Sequence, residues 1–304
     1  MKKKLFGLIL CAVALAALMV AAALLTDGIL WIILLGILYF ALIDALATVI
    51  RQLLGEPEPQ KRPKEEMIQM ENQWYAQRQD PAVMARLRPV GYILAGISFL
   101  LIIFGIAGIL SYTLHSILCL ASTAACVILA AAFPAYFSFN YAEGVKESPY
   151  TFHIVNVLIP FFLSLAAGAL RALTELNFTD WIAAAEGVMV TAALLAAVLR
   201  LTVPELRRTT STWIGVMFFV VIFGLGVTAP VNYLLSPPPQ IETATVTEYH
   251  PGGYRSPADY ALRLEAGEEI RMIANDGRSY EIGEQIQVER YPGGLGIEYY
   301  CYPD

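Results

Sequence analysis

The sequence predicts an α-helical transmembrane bundle of seven spans followed by a small all-β, barrel-like domain at the C-terminus. Three observations predict it. Charged residues make up only 15% of the 304-residue chain, and mean hydropathy is +0.58, whereas an ordinary soluble domain is about 25% charged. The missing charge is concentrated in uncharged runs of about 20 residues, the length that crosses a hydrocarbon core. Beyond residue 239 the composition changes: residues 240–304 hold five Arg, no Lys and twelve Asp or Glu, a net of −7, with apolar residues recurring every second position.

Met1-Lys2-Lys3-Lys4 precedes the first apolar run, 5–25, and Thr26-Asp27-Gly28 separates it from the second, 29–50. Two runs joined by a tight polar turn read as a transmembrane hairpin, 1–50. The basic start resembles a secretory signal, but the run is long and Leu10 is too large for the lipoprotein-type cleavage that Leu8-Ile9-Leu10-Cys11 mimics. The first span is therefore expected to stay on the chain.

Residues 51–88 form a cytoplasmic linker. It opens with a Pro- and charge-rich stretch, 56–63, and continues as an amphipathic helix with Met67, Met70 and Trp74 on one face. Asp80-Pro81 marks a fresh helix start, an N-cap followed by Pro in the first turn. The apolar stripe is expected to rest on the headgroups or on the chain's own bundle; the alternative is a partner-binding helix.

A five-span bundle, 89–235, follows, with spans at 89–110, 114–137, 153–173, 181–201 and 211–235. Pro134 and Pro160 fall in the fourth and fifth spans, where a kink is expected. Ser236-Pro237-Pro238-Pro239 then stops the last span and forms a stiff spacer. With the N-terminus inside, the inner segments carry fourteen Lys or Arg and the outer connections only Arg171. Under the positive-inside rule this places the N-terminus in the cytoplasm and the acidic tail, 236–304, outside.

Within the tail, Ile241, Thr243, Thr245, Thr247 and Tyr249 alternate with Glu242, Ala244, Val246, Glu248 and His250. The same period recurs in Tyr260, Leu262 and Leu264, in Ile270 and Met272, in Tyr280 and Ile282, in Ile286 and Val288 after a turn at Gly283-Glu284, and in a last run from Ile297 to Tyr302. Asn275-Asp276-Gly277 is a hairpin signal. Five or six short strands suit a small open barrel, and a core of that size is marginal by itself. The pattern Thr245-Val246-Thr247 followed by Arg278-Ser279-Tyr280-Glu281-Ile282-Gly283-Glu284-Gln285-Ile286-Gln287-Val288 resembles membrane-tethered small β-barrel domains of unknown function in bacteria. That resemblance covers about the last fifth of the chain. It implies a multi-pass protein of the bacterial cytoplasmic membrane, and no catalytic residue.

Ionisable groups at membrane depth are costly and are functional suspects. Asp44 lies about 10 Å from the inner surface of the second span, while Arg171 and Glu186 lie near the outer face on consecutive spans. Arg171 and Glu186 are expected to pair or to share a polar pocket. The alternative is that Arg171 snorkels outward and Glu186 rests at a helix interface. Tyr291, Tyr299, Tyr300 and Tyr302 are a candidate partner surface, since Tyr suits interfaces; the alternative is barrel core and barrel seat. His153, Asn156 and Pro160 form either a cavity lining or an ordinary interfacial helix start. Cys119 and Cys126 share a face with Ala121, Ser122 and Ala125, which points to close helix packing. Asn177-Phe178-Thr179 matches a glycosylation sequon.

No metalloprotease, serine-hydrolase or phosphate-loop motif is present, no cofactor or metal site is expected, and no basic patch invites nucleic acid. The expectation is a non-enzymatic integral membrane protein. Its partners are the lipid bilayer and a membrane or envelope protein, with the bundle presenting the β module for partner binding or envelope sensing. The alternative is a small-solute transporter or transporter subunit using Asp44, Arg171 and Glu186.

Overall fold

The computed structural model describes residues 66, 69, 73, 74, 77–139, 155–203, 206, 210–252, 258–274 and 279–303. The first two expected spans, Asp44, His153 and the Asn275-Asp276-Gly277 hairpin lie outside the described residues.

Helix α1 (Pro81–Ala107) begins as the sequence indicates, with the Asp80 side chain accepting from the Ala82 amide at 2.8 Å. It runs straight through Pro89, so the short linker helix and the third span are one element. Its C-terminus is capped by Gly108 in the left-handed region (φ 63), where a side chain would be strained. Helix α2 (Tyr112–Ala132) ends before Pro134, which lies in the following turn and so does not kink it. Strands β1 (Phe137–Ser138) and β2 (Val155–Asn156) pair in parallel. Helix α3 (Leu158–Glu175) carries Pro160 in its first turn, where the missing amide has no intrahelical partner to lose, so the expected kink has no cause. Asn156 serves the helix start: its Oδ1 accepts from the Leu158 amide at 2.8 Å.

Strand β3 (Asn177–Phe178) follows, and then helix α4 (Trp181–Thr202), whose N-cap Asp180 accepts from the amides of Ile182 and Ala183. The expected last span is two helices, α5 (Thr210–Ile222) and α6 (Leu225–Leu234), with a 49° bend between them. The break lies at Phe223-Gly224. Beyond it, Gly226 sits so close to the Leu165 carbonyl on α3 that a Cβ there would overlap it; the bend lets the two backbones meet. Among the described residues four helices are long and apolar enough to cross a membrane, or five if the bent pair counts as one. Seven spans are not supported.

Trp74, Val83 and Leu87 pack against the core formed by α1, α2, α3, α4 and α5. Gln79 Nε2 donates to the Ala135 carbonyl at 2.8 Å and the Asp80 amide donates to the Tyr136 hydroxyl at 2.8 Å. This part of the linker's apolar stripe therefore rests on the chain's own bundle.

At the opposite end stands an antiparallel, nearly closed sheet. Strands β4 (Gln240–His250), β5 (Asp259–Leu264), β6 (Glu269–Ile273), β7 (Gln285–Tyr291) and β8 (Tyr299–Cys301) are arranged in the order β3-β8-β7-β4-β5-β6. Strand β4 pairs with β7 through its first half and with β5 through its second, turning at an irregularity near Thr247. The period of two holds, and in β4 Ala244 and Val246 turn inward while Ile241 and Tyr249 are exposed; with Tyr260, Leu262, Leu264, Ile270, Met272, Ile286 and Val288, the two inward residues fill the interior. Tyr280 and Ile282 fall outside any strand, in and before a turn.

Candidate functional site: the seam between bundle and barrel

Strand β3 is part of the connection between α3 and α4, yet it is a strand of the barrel. Asn177 and Phe178 pair with Tyr300 and Tyr299 of β8. The Asn177 side chain then spans the remaining gap. Its Oδ1 accepts from the Ile273 amide on β6 at 2.8 Å, and its Nδ2 donates to the Tyr300 carbonyl at 3.3 Å. One amide, anchored by the bundle, thus links the two sheet edges. Asn177 is buried and both its side-chain polar atoms are engaged, so in the folded protein the sequon is a structural element.

A second clip comes from α6. Asn232 is buried; its Nδ2 donates to the Ile297 carbonyl at 2.7 Å and its Oδ1 accepts from the Leu295 amide at 2.8 Å. The Asn232 carbonyl accepts from the Gly294 amide at 2.8 Å, and Ser236 Oγ accepts from the Gly293 amide at 3.2 Å. Between the two clips lies a shared core of Ala172, Leu176, Phe178, Ala184, Ala229, Ile297 and Tyr299.

The four tyrosines proposed as a partner surface belong largely to these interiors. Tyr299 is 0% exposed and Tyr300 is 1% exposed. Tyr299 stacks on Tyr291 (centroids 4.9 Å, planes 7° apart), and Tyr233 of α6 lies against both. Tyr300 is in the barrel core, and Tyr302 stacks on Tyr280 beside it. The surface reading is corrected accordingly: strand alternation turns Tyr299 toward the bundle and Tyr300 toward the barrel interior. Burial raises the pKa of Tyr291, Tyr299 and Tyr300 above the ordinary phenol value, with the neighbouring Glu289 carboxylate adding to the effect at Tyr291. Outside the core, Arg290 bonds Glu298 at 3.0 and 3.1 Å and Glu242 at 3.2 Å; these bonds, Glu298 first, hold its guanidinium above the usual value against partial desolvation.

Arg171 is 8% exposed and does not meet Glu186. Its Nη2 pairs with Glu175 one turn along the same helix at 2.8 Å, and its Nη1 donates to the Gly105 carbonyl at 2.9 Å. A longer bond runs to the Leu110 carbonyl at 3.4 Å. The guanidinium therefore satisfies carbonyls at the end of α1, where the helix dipole favours positive charge. Glu186 is exposed on α4 and has no ion pair or hydrogen bond among the described residues. The expected pair fails because α3 offers Arg171 a nearer carboxylate, four residues on. Arg171 and Glu186 share no polar pocket, so they do not supply the transport reading with a site.

Sequence reasoning missed a buried polar stripe along α2. His115 Nε2 lies 2.9 Å from the Leu101 carbonyl, and Cys119 Sγ lies 3.8 Å from the ring nitrogens. Deeper in, Ser98, Ser122 and Ser164, one from each of α1, α2 and α3, meet at 2.8–3.0 Å. The signal was present as Ser or Cys every third or fourth position along α2. Only packing shows that the serines of three helices converge. The hydroxyls of Ser98, Ser122 and Ser164 partner one another, and the cluster reads as helix-packing glue. No group of three or more His, Cys, Asp or Glu among the described residues is arranged to hold a metal ion.

No protein-family model matches the chain, and no curated protein or solved structure matches it.

Proposed function

We propose that this is a non-enzymatic, multi-pass protein of the bacterial cytoplasmic membrane, which holds an acidic β barrel on the extracytoplasmic face for binding a membrane or envelope protein. The observation that carries the reading is the barrel's dependence on the bundle. Asn177 and Phe178, from the connection between two apolar helices, supply a barrel strand and link its edges. A barrel built in this way has a fixed position and orientation relative to the helices, so a partner bound to it is held at a set distance from the bilayer. The same continuity allows a load on the barrel to reach α3 and α6, which suits envelope sensing. The net charge of −7 from residue 240 onward favours a basic partner surface, and the lysine and arginine bias supports the outward placement.

The partner face includes the exposed acidic turns between β5 and β6 and before β7, which carry Glu265, Glu268, Glu281 and Glu284. The test is photo-crosslinking in native membranes from a residue placed at Glu265 or Glu281, with a matching residue on the lipid face of α1 as control. A discrete adduct from the barrel sites, weakened when Glu265, Glu268, Glu281 and Glu284 are changed to Gln, is expected. Recovery of the chain free of adducts at both barrel sites would overturn the partner-binding reading.

A further inference from the structure

The loop of residues 292–298 sits lower than the rest of the barrel. Ile297 is buried against Gly187, where a Cβ would collide with it, and close to Thr228 of α6. Gly187 lies six residues inside α4 from Trp181, about 9 Å along the helix axis at 1.5 Å per residue. The loop therefore descends alongside α4 and α6 below the level of Trp181. Trp181 and Ile182 are both exposed at that helix end, the position where Trp marks a membrane interface.

Three features fit this loop to lipid. Its amides are satisfied by the protein: those of Gly293, Gly294 and Leu295 bond to Asn232 or Ser236, that of Gly296 bonds to the Gly293 carbonyl, and the Ile297 carbonyl accepts from Asn232. An irregular segment can enter a bilayer only when the protein meets its polar groups. Its sequence, Pro292-Gly293-Gly294-Leu295-Gly296-Ile297, has no charge, and the charges beside it, Arg290 and Glu298, bond to each other. Its tip exposes apolar surface: Leu295 is 44% exposed and Leu235, against which Gly294 packs, is 64% exposed. Ile282, elsewhere on the barrel, is also exposed but lies between Glu281 and Glu284, where lipid contact would bury charge.

We propose that the tip of this loop is a membrane-contact site, with Leu295 and Leu235 seated in the interfacial zone of the leaflet beneath the barrel. It rests on the reading of the apolar helices as spans and adds a lipid-binding element to the β domain. The barrel is then held by the bundle on one side and by the bilayer on the other.

The test is a nitroxide label at Leu295→Cys, in a chain whose four native cysteines are changed to Ala, reconstituted in phosphatidylcholine–phosphatidylglycerol vesicles. A label at Glu265→Cys serves as the reference. Dissolved oxygen is expected to relax the 295 label more than a water-soluble nickel chelate does, with the order reversed at 265. The same order at both sites, with the chelate dominant, would overturn the lipid contact. Hydroxyl-radical footprinting of the unaltered chain in nanodiscs is a second measurement that needs no variant. Leu295 should be protected under conditions that oxidise Ile282, and equal oxidation would also overturn the contact. Loss of the unaltered chain from the vesicle fraction would overturn the membrane reading itself, an outcome distinct from a membrane-inserted chain with a watery loop.

Discussion

Replacing Asn177 by Ala removes the side chain that links the barrel's edges. In the folded protein it leaves the Ile273 amide and the Tyr300 carbonyl each short of one partner. Leaving a buried polar group unpaired costs about 1–3 kcal/mol. The bond to Ile273 is the shorter one but only partly buried, while the bond to Tyr300 is buried but long, so both fall toward the lower end. The sum is about 2–3 kcal/mol, which at 1.4 kcal/mol per decade makes opening of the β6 edge roughly 30- to 150-fold more frequent. A barrel with so small an interior has little reserve against such a loss. Hydrogen exchange of the purified chain reads this directly. Amides of β6 and β8 should exchange about 30- to 150-fold faster in Asn177→Ala, while those of α2 and α3 stay within twofold of the parent. Asn177→Asp keeps the acceptor for Ile273 and loses the donor to Tyr300, so it should fall between the two. If β6 exchanges within twofold of the parent in Asn177→Ala, the barrel's edges are held by something other than Asn177 and the reasoning fails.

Asn232→Ala should release the loop of residues 292–298 by deleting two side-chain hydrogen bonds, at a cost of about 2–4 kcal/mol; limited proteolysis should then cut near Gly293–Gly296 where the parent resists. Arg171→Leu should destabilise the bundle by about 1–3 kcal/mol, since it removes the guanidinium that bonds the Gly105 carbonyl and the Glu175 carboxylate, whereas Glu186→Gln should change thermal stability by less than about 0.5 kcal/mol. The raised pKa of Tyr299 and of Tyr300 means that the folded barrel resists ionising them while the unfolded chain does not. Their contribution is fully present below the ordinary phenol value near 10 and is lost as pH rises above it. Chemical denaturation followed at increasing pH should show barrel stability falling above about pH 10, and less steeply in Tyr299→Phe.

The alternation of β5, β6 and β7 and the helix start at Asp80 were legible because each depends on neighbours in sequence. Alternation at period two marks one face of a strand, and an Asp just before a helix caps the amide two residues on. The partners of Arg171, the burial of Tyr299 and the role of Asn177 were not legible. Arg171 meets carbonyls of α1 more than sixty positions away, and Asn177 bonds Ile273 across 96 positions. Nothing in the local sequence distinguishes such a residue from a solvated loop Asn. The tyrosines show the limit most clearly: a run of Tyr in a short terminal strand has the composition of an interface whether it faces a partner or the chain's own bundle.

The sequence by itself determined that this is an apolar helical chain with an acidic β domain at its end. Hydrophobic run length and period-two alternation are properties of single segments in their solvents. Only the tertiary structure decided that the β domain is not a separate body on a proline spacer. The connection between α3 and α4 adds a strand to it, Asn177 links its edges and Asn232 holds its lowest loop. A short sheet with open edges leaves backbone groups unpaired, and here segments distant in sequence supply the missing partners from the helical bundle beneath it.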